Sequence, residues 1–319
     1  MRALASPAAL KGVLPPTEAA AALARGFRSV GAEAVELPIG DGGSGTAEVL
    51  QAARGGEWHE EVVSDPLGRP VGARWLLLPD GTAVVEAAEA IGLARLAPED
   101  LDPVRASSRG LGDLVRSALA SSPESLLVCL GDTATVDGGA GFFEIVPDLG
   151  VPTRVACDVR NPLLGERGAT AAFGPQKGAT PEQVDELEQR LAGMPALQPF
   201  ARLAGAGAAG GLGAALASLG AELVSGAELV LELVRFRDAV REAELVVTGE
   251  GTVDATTAEG KAPWTAARVC REQRTRCVLF GGRIVAAPPD VETHELSGDP
   301  ARAARDLVAL GARLGCGNG

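Results

Sequence analysis

The chain has 319 residues, about two domains' worth, and 46% of them are hydrophobic, ample for packed cores. A formal net charge of −13 argues against nucleic acid or an anionic membrane surface as a partner. Two histidines, His59 and His294, leave little room for a histidine triad or a histidine zinc site, and the five cysteines contain no CxxC pair.

Arg2–Ala5 reads as a short strand and Thr17–Val30 as an alanine-rich helix with Thr17 as its N-cap. Ala34–Leu37 is a second strand, after which the glycine-rich turn 41–45 leads into a helix beginning near Thr46. Strand, helix, strand, helix in that order predicts a parallel, doubly wound sheet. After Gly55-Gly56 the pattern changes to a meander: Trp58–Ser64, Gly72–Leu78 and, beyond the Pro79-Asp80-Gly81 turn, Thr82–Glu86. A helix at Leu111–Ala120 and buried strands at Ser125–Leu130 and Thr153–Cys157 follow, then helical spacing at Pro181–Ala192 and Glu228–Glu242. Leu245–Val247 is a short buried strand entering a glycine-acidic loop. A helix after Pro263, strands Arg276–Phe280 and His294–Leu296, and a helix Pro300–Leu314 end the chain.

The expected class is α/β: a discontinuous Rossmann-like parallel-sheet domain from residues 1–54 and 243–319, with a mixed α/β domain, 55–242, inserted. A cleft between two such domains is the default place for a ligand. No signal-peptide-like apolar stretch opens the chain and no apolar run reaches 18 residues, so the expectation is a cytoplasmic protein without a membrane partner. The oligomeric state stays open, a homo-oligomer included.

Of 29 basic residues only three are lysine, Lys11, Lys177 and Lys261, and each adjoins a glycine. A compact ammonium beside exposed backbone N–H groups receives phosphate or carboxylate well. Five loops combine glycine with acids, amides or ammonium groups. Asp41-Gly42-Gly43-Ser44-Gly45-Thr46 is either an anion cradle at a helix start or a tight turn capped by Ser44 or Thr46. The loop 131–141 carries Asp132, Thr133, Thr135, Asp137 and a glycine cluster, more than a turn requires.

Asp158 stands behind a strand, with Asn161-Pro162 close by and Phe173–Gly178 further on; it reads as a metal ligand, a base for a hydroxyl proton, or an Asx turn. The run 205–213, containing Gly207, Gly210 and Gly211, matches GxGxxG without the strand and acidic partner of a dinucleotide site, which leaves close helix packing or an anion-binding helix start. Thr248–Asp254 follows a strand, and Glu250 with Asp254 suits Mg²⁺, which takes carboxylates plus phosphate oxygens. Anion cradles, carboxylates and isolated ammonium groups are the inventory of phosphoryl transfer. The Walker and protein-kinase motif sets are missing, so the residues alone reach a small-molecule phosphotransferase.

The ordered motifs go further. Asp41–Thr46, Ser107–Gly110, Thr133–Phe142, Ala156–Pro162, Phe173-Gly-Pro-Gln-Lys-Gly-Ala179, Gly205–Gly213 and Thr248–Asp254 together resemble the bacterial glycerate kinases of the type-1 family along nearly the whole chain. The resemblance implies ATP- and Mg²⁺-dependent phosphorylation of glycerate in a two-domain α/β enzyme. By residue type, Asp158 or Asp254 is expected as the proton-accepting or orienting carboxylate, Lys177 and Lys261 as charge-stabilising groups, and Glu250 and Asp254 as metal ligands. Lys11, Asp41, Gly42, Gly43, Ser44, Thr133, Thr135, Asp137, Asn161, Gly207, Gly210 and Gly211 are the expected substrate and phosphate contacts.

The chain departs from the family pattern at four places. Ala8 and Ala9 replace an acid and a hydroxyl, Asp132 replaces a glycine, and Thr252 replaces an arginine; the chain is also shorter than usual after Gly141 and near its carboxyl end. These departures motivate two other readings: a homologue that binds a metabolite or nucleotide without turnover, and a kinase for a related hydroxy acid.

Overall fold

Short runs of apolar and β-branched residues, separated by helices with one apolar face, build two sheets in the computed structural model, which describes residues 1–253, 261–286 and 290–316. The strands are β1 (Arg2–Pro7), β2 (Glu33–Glu36), β3 (Glu57–Ser64), β4 (Pro70–Leu77), β5 (Thr82–Glu86), β6 (Ser125–Cys129), β7 (Thr153–Cys157), β8 (Glu222–Ser225), β9 (Leu245–Val253), β10 (Arg276–Ile284) and β11 (Glu292–Glu295). The chain divides into two compact units. Unit 1 comprises Met1–Asp41, Glu48–Ala53 and Ala227–Gly319, and unit 2 comprises Gly42–Ala47 and Arg54–Gly226. The helices 226–233 and 236–242 thus belong almost wholly to unit 1, whereas the sequence pattern carried the inserted domain to residue 242.

The sheet of unit 1 is parallel throughout, in the order β11-β10-β9-β1-β2. Numbered within the unit, this is the 2-1-3-4-5 order of doubly wound folds, and it reverses direction between β1 and β9. Right-handed crossovers then send the helix Pro16–Ser29, after β1, and the helix Ala262–Gln273, after β9, to opposite faces. The first of these packs against Ala303–Gly315 through bare backbone: a Cβ on Gly26 would stand 2.1 Å from the Val308 carbonyl, and one on Gly311 2.3 Å from that of Leu23. Leu23, Phe27, Val247, Phe280, Leu307 and Leu310 fill the core beside them.

In unit 2 the order is β3-β4-β5-β6-β7-β8, antiparallel from β3 to β5 and parallel from β5 to β8. Trp75, Val85, Leu114, Val128, Phe142 and Leu212 form its main core. A second cluster gathers Val136, Leu163, Leu187, Leu191 and Ala206 beneath the helix Pro181–Ala192.

Several elements differ from the pattern read in the sequence. The first helix starts at Pro16 with no side-chain cap, because proline's fixed φ suits the opening turn and makes Thr17 an interior residue. The expected helix 228–242 is broken where Arg235 takes a left-handed φ of 56°. β8 carried no sequence signal. Most consequential, 248–253 is strand and not loop: β9 pairs with β10 as far as Val253↔Ile284. Glycine is needed there because a Cβ on Gly249 would stand 2.2 Å from the Phe280 carbonyl.

Candidate functional site

Each unit gathers its own set of the residues singled out above. In unit 1 they lie where the carboxyl ends of β1 and β9 meet, the point of strand-order reversal at which open α/β sheets bind ligands. Lys11 is exposed just beyond β1, and Gly251 of β9 lies beside it, a Cβ there being 3.7 Å from the Lys11 amide nitrogen. Glu250, its side chain 12% exposed, faces Lys261 with Nζ to Oε2 at 3.8 Å. Asp41 is half-buried at the end of the unit's first segment. Asp254 lies outside the described residues. Ser6 and Thr248, opposite each other in register, are fully buried, and neither hydroxyl finds a partner among the described residues. Their isolation shows only in three dimensions.

In unit 2 the expected cradle 42–46 is filled by the protein's own acceptors. Gly42 N donates to Thr46 Oγ1 at 3.1 Å and Ser44 N to Asp132 Oδ2 at 3.1 Å. Gly45 N and Ala47 N donate to the Glu86 carboxylate at 3.2 and 2.6 Å. Glu86, 5% exposed, thus holds the place at a helix start where an anion was expected. Gly43 is likewise committed to packing, since a Cβ on Gly131 would stand 2.5 Å from its Cα. Asp132 adopts a φ of 61°, the backbone state that explains why glycine suits this position.

Asp137, expected to bind substrate, is buried and saturated. Its Oδ2 accepts from Ser108 N and Ser108 Oγ, both at 2.8 Å, and from Gly141 N at 3.1 Å, while Oδ1 accepts from Gly139 N at 3.1 Å. Ser108 Oγ in turn accepts from Phe142 N at 2.9 Å. Four donors engage this carboxylate, which ties Ser108 to the loop 139–141.

Lys177, only 3% exposed, donates from Nζ to the Thr135 carbonyl at 2.8 Å and to Thr133 Oγ1 at 3.3 Å. Burial pushes its pKa down to about 7, partly opposed by the Asp137 charge. In this geometry the ammonium ties the loop 133–135 to the segment Pro175–Lys177 instead of facing an outside anion. Thr135 Oγ1, also buried, has no partner among the described residues.

The run 205–213 is packing. A Cβ on Gly207 would stand 2.3 Å from the Pro162 carbonyl and one on Gly210 2.1 Å from the Thr135 carbonyl; Gly211, at φ +100°, abuts Gly138 Cα. Asn161 donates from its side chain to the Arg167 carbonyl at 2.7 Å and accepts at its own carbonyl from Gly207 N at 3.0 Å. Asp158 is half-buried at the end of β7, and its charge joins burial in pushing the Cys157 thiol up to about 12. Lys177, Thr133, Thr135, Asp137, Gly207, Gly210 and Gly211 therefore form one internally bonded assembly at the carboxyl ends of β6 and β7.

Among the described residues no group of three or more His, Cys, Asp or Glu side chains is arranged to hold a metal, so Glu250 is the described carboxylate of the expected pair. One carboxylate plus phosphate oxygens is within the ordinary habit of Mg²⁺, and the donor chemistry at Glu250 fits that ion.

A parallel sheet with lysines and an acid at its strand-reversal point, beside a second, mixed sheet, belongs to the α/β class and has the inventory of a small-molecule site. Comparison with known proteins narrows the class. Residues 3–153 and 144–299 match the glycerate kinase family. The glycerate kinase of Bacillus subtilis (strain 168) is 39% identical, covering 89% of this chain and 85% of that protein. The glycerate 2-kinase of Escherichia coli (strain K12) is 35% identical over 92% and 88%. A crystal structure from Salmonella typhimurium LT2, provisionally assigned as glycerate kinase 2, superposes with a TM-score of 0.83 at 31% identity, covering 99% of this chain and 97% of that one. The chain belongs to the glycerate kinase family, and it is a kinase. No helix among the described residues is long and apolar enough to cross a membrane.

Proposed function

We propose that the chain transfers the γ-phosphate of ATP to a hydroxyl of glycerate, with Mg²⁺, in the cytoplasm. What supports this reading most is the grouping of Lys11, Glu250 and Lys261 at the strand-reversal point of unit 1, in a chain of the glycerate kinase family. Lys11 and Lys261 attract and neutralise the phosphates, as compact ammonium groups do. Glu250, with Asp254 on sequence grounds, would hold Mg²⁺, which when bound supplies charge neutralisation across the phosphate oxygens. A carboxylate, Asp158 or Asp254 on sequence grounds, accepts the proton of the attacking hydroxyl as the new P–O bond forms and the bond to ADP breaks. Lys177 and Asp137 act through the loops they hold. The Escherichia coli relative's name makes 2-phosphoglycerate the first product to look for.

A coupled assay of ADP release with Mg-ATP and D-glycerate tests this. Lys261→Ala and Asp158→Asn are each expected to lower kcat about 100-fold, as loss of one charge-stabilising group or of a general base does. Wild-type ADP release no faster than the protein-free background would remove the reading of glycerate phosphorylation, whereas an active wild type matched by Asp158→Asn would move the proton-accepting role to Asp254. Thermal stabilisation by ATP or glycerate without turnover would then favour a homologue that binds a metabolite or nucleotide only, as the replacements Ala8, Ala9, Asp132 and Thr252 suggest.

A further inference from the structure

Beyond the lysine cluster, unit 1 holds a cavity of about 370 Å³ at the carboxyl ends of β9, β10 and β11. That volume sits at the lower end of small-molecule sites, roughly 300–1,000 Å³. Leu10, Val13, Leu296 and Pro300 give it apolar walls. Gly251 and Gly282 leave one side as bare backbone, since a Cβ on Gly282 would stand 2.8 Å from the Gly251 carbonyl.

Its lining charges are unbalanced: Glu295, Asp299 and Asp306 against one guanidinium, Arg283, with Arg302 beyond the lining. Two of these carboxylates already hold the nearby donors. Asp306 accepts from Ser297 N at 3.0 Å and from Ser297 Oγ, with Arg302 3.9 Å away, and Asp299 accepts from Ala301 N at 3.0 Å. A phosphate here would meet net negative charge and N–H groups that already have acceptors. A flat apolar body bearing hydroxyl donors would meet neither obstacle.

We propose that this cavity takes the nucleoside end of ATP, with the base against Leu10, Val13 and Leu296 and the ribose hydroxyls donating to Glu295, the pairing by which acidic residues read a ribose diol. The inference rests on the ATP reading above and locates its nucleotide. The cavity adjoins the lysines through the chain itself. Leu10 and Gly251 line it, their neighbours are Lys11 and Glu250, and Glu250 faces Lys261. A nucleoside seated here therefore has its phosphates on the side of Lys11 and Lys261.

Val13 is 38% exposed on a surface turn, so Val13→Trp is a filling variant with little risk to the fold. It is expected to raise the KM for ATP at least tenfold, leave the KM for glycerate within twofold, and abolish adenosine binding by calorimetry. Glu295→Gln is expected to weaken adenosine about fivefold and leave 2′,3′-dideoxyadenosine unchanged; it reads the site independently should Val13→Trp misfold by circular dichroism. An active wild type with both variants within twofold in KM for ATP overturns the cavity assignment and leaves the kinase reading standing. An inactive wild type whose adenosine binding is lost in Val13→Trp does the reverse. Failure of adenosine and ATP to bind the wild type overturns both.

Discussion

The glycines of the unit 2 loops and Gly251 at the strand end of unit 1 look alike in sequence and differ in use. In unit 2 they bring backbones together: a Cβ on Gly42 would stand 2.8 Å from the Ala156 carbonyl, and the corresponding distances for Gly207 and Gly210 are shorter still. The amides of the loops 44–47 and 139–141 are bonded to Glu86, Asp132 and Asp137. In unit 1, Gly251 has nothing closer than 3.7 Å and lies beside an exposed lysine and a cavity. A glycine-rich loop with its own carboxylates is thus a finished scaffold, whereas a bare strand end with lysines beside it still has room for a ligand. The contrast teaches that the acceptor, more than the glycine, decides whether an amide-lined turn is a cradle.

The largest effect that would break this contrast is at Asp137. Asp137→Ala strips an acceptor from four donors, and buried unpaired donors cost about 1–3 kcal/mol each before relaxation. A loss of about 4 kcal/mol of unfolding free energy is expected in urea titrations, allowing for partial relaxation. A loss below about 1 kcal/mol would mean that the loop does not depend on this carboxylate.

A paired substitution sharpens the comparison. Gly210→Ala places a methyl 2.1 Å from the Thr135 carbonyl at a φ of +68°, and is expected to cost about 3 kcal/mol through overpacking and backbone strain. Gly251→Ala meets only ordinary contacts, and is expected to leave stability unchanged or raise it by less than about 1 kcal/mol, since alanine loses less backbone freedom in a strand. Equal midpoint shifts in the two variants would erase the distinction between scaffold and site.

Which glycines belong to which class was not legible in the sequence, and the reason is distance along the chain. Glu86 bonds Ala47, 39 residues away, and Asp137 bonds Ser108, 29 residues away; no local pattern pairs them. What was legible is local or periodic: the strand Thr153–Cys157 and the helix Pro181–Ala192 have the bounds their apolar spacing predicts. The sequence signal for β9 ends at Val247 because glycine weakens a strand pattern, although here glycine is what lets β10 lie close. The lysines were found by rarity and adjacency to glycine. Rarity did not reveal that Lys177 is buried while Lys11 is exposed.

Lys177 supplies the finest test, because its burial leaves a signature in pH. The unfolded chain keeps the proton up to the ordinary value of 10.5, and the folded protein only up to about 7. Between these values the unfolded state binds more protons, so stability rises with pH across that window. Below it both states hold the proton, and the penalty for burying the ammonium is present in full. Lys177→Met keeps the bulk and removes the titration. Wild-type stability, measured relative to this variant, is expected to climb from pH 7 to 10 by up to about 1.4 kcal/mol per pH unit. Parallel profiles for the two proteins would place the Lys177 ammonium in water, and with it the loop 133–135 that the structure shows it holding.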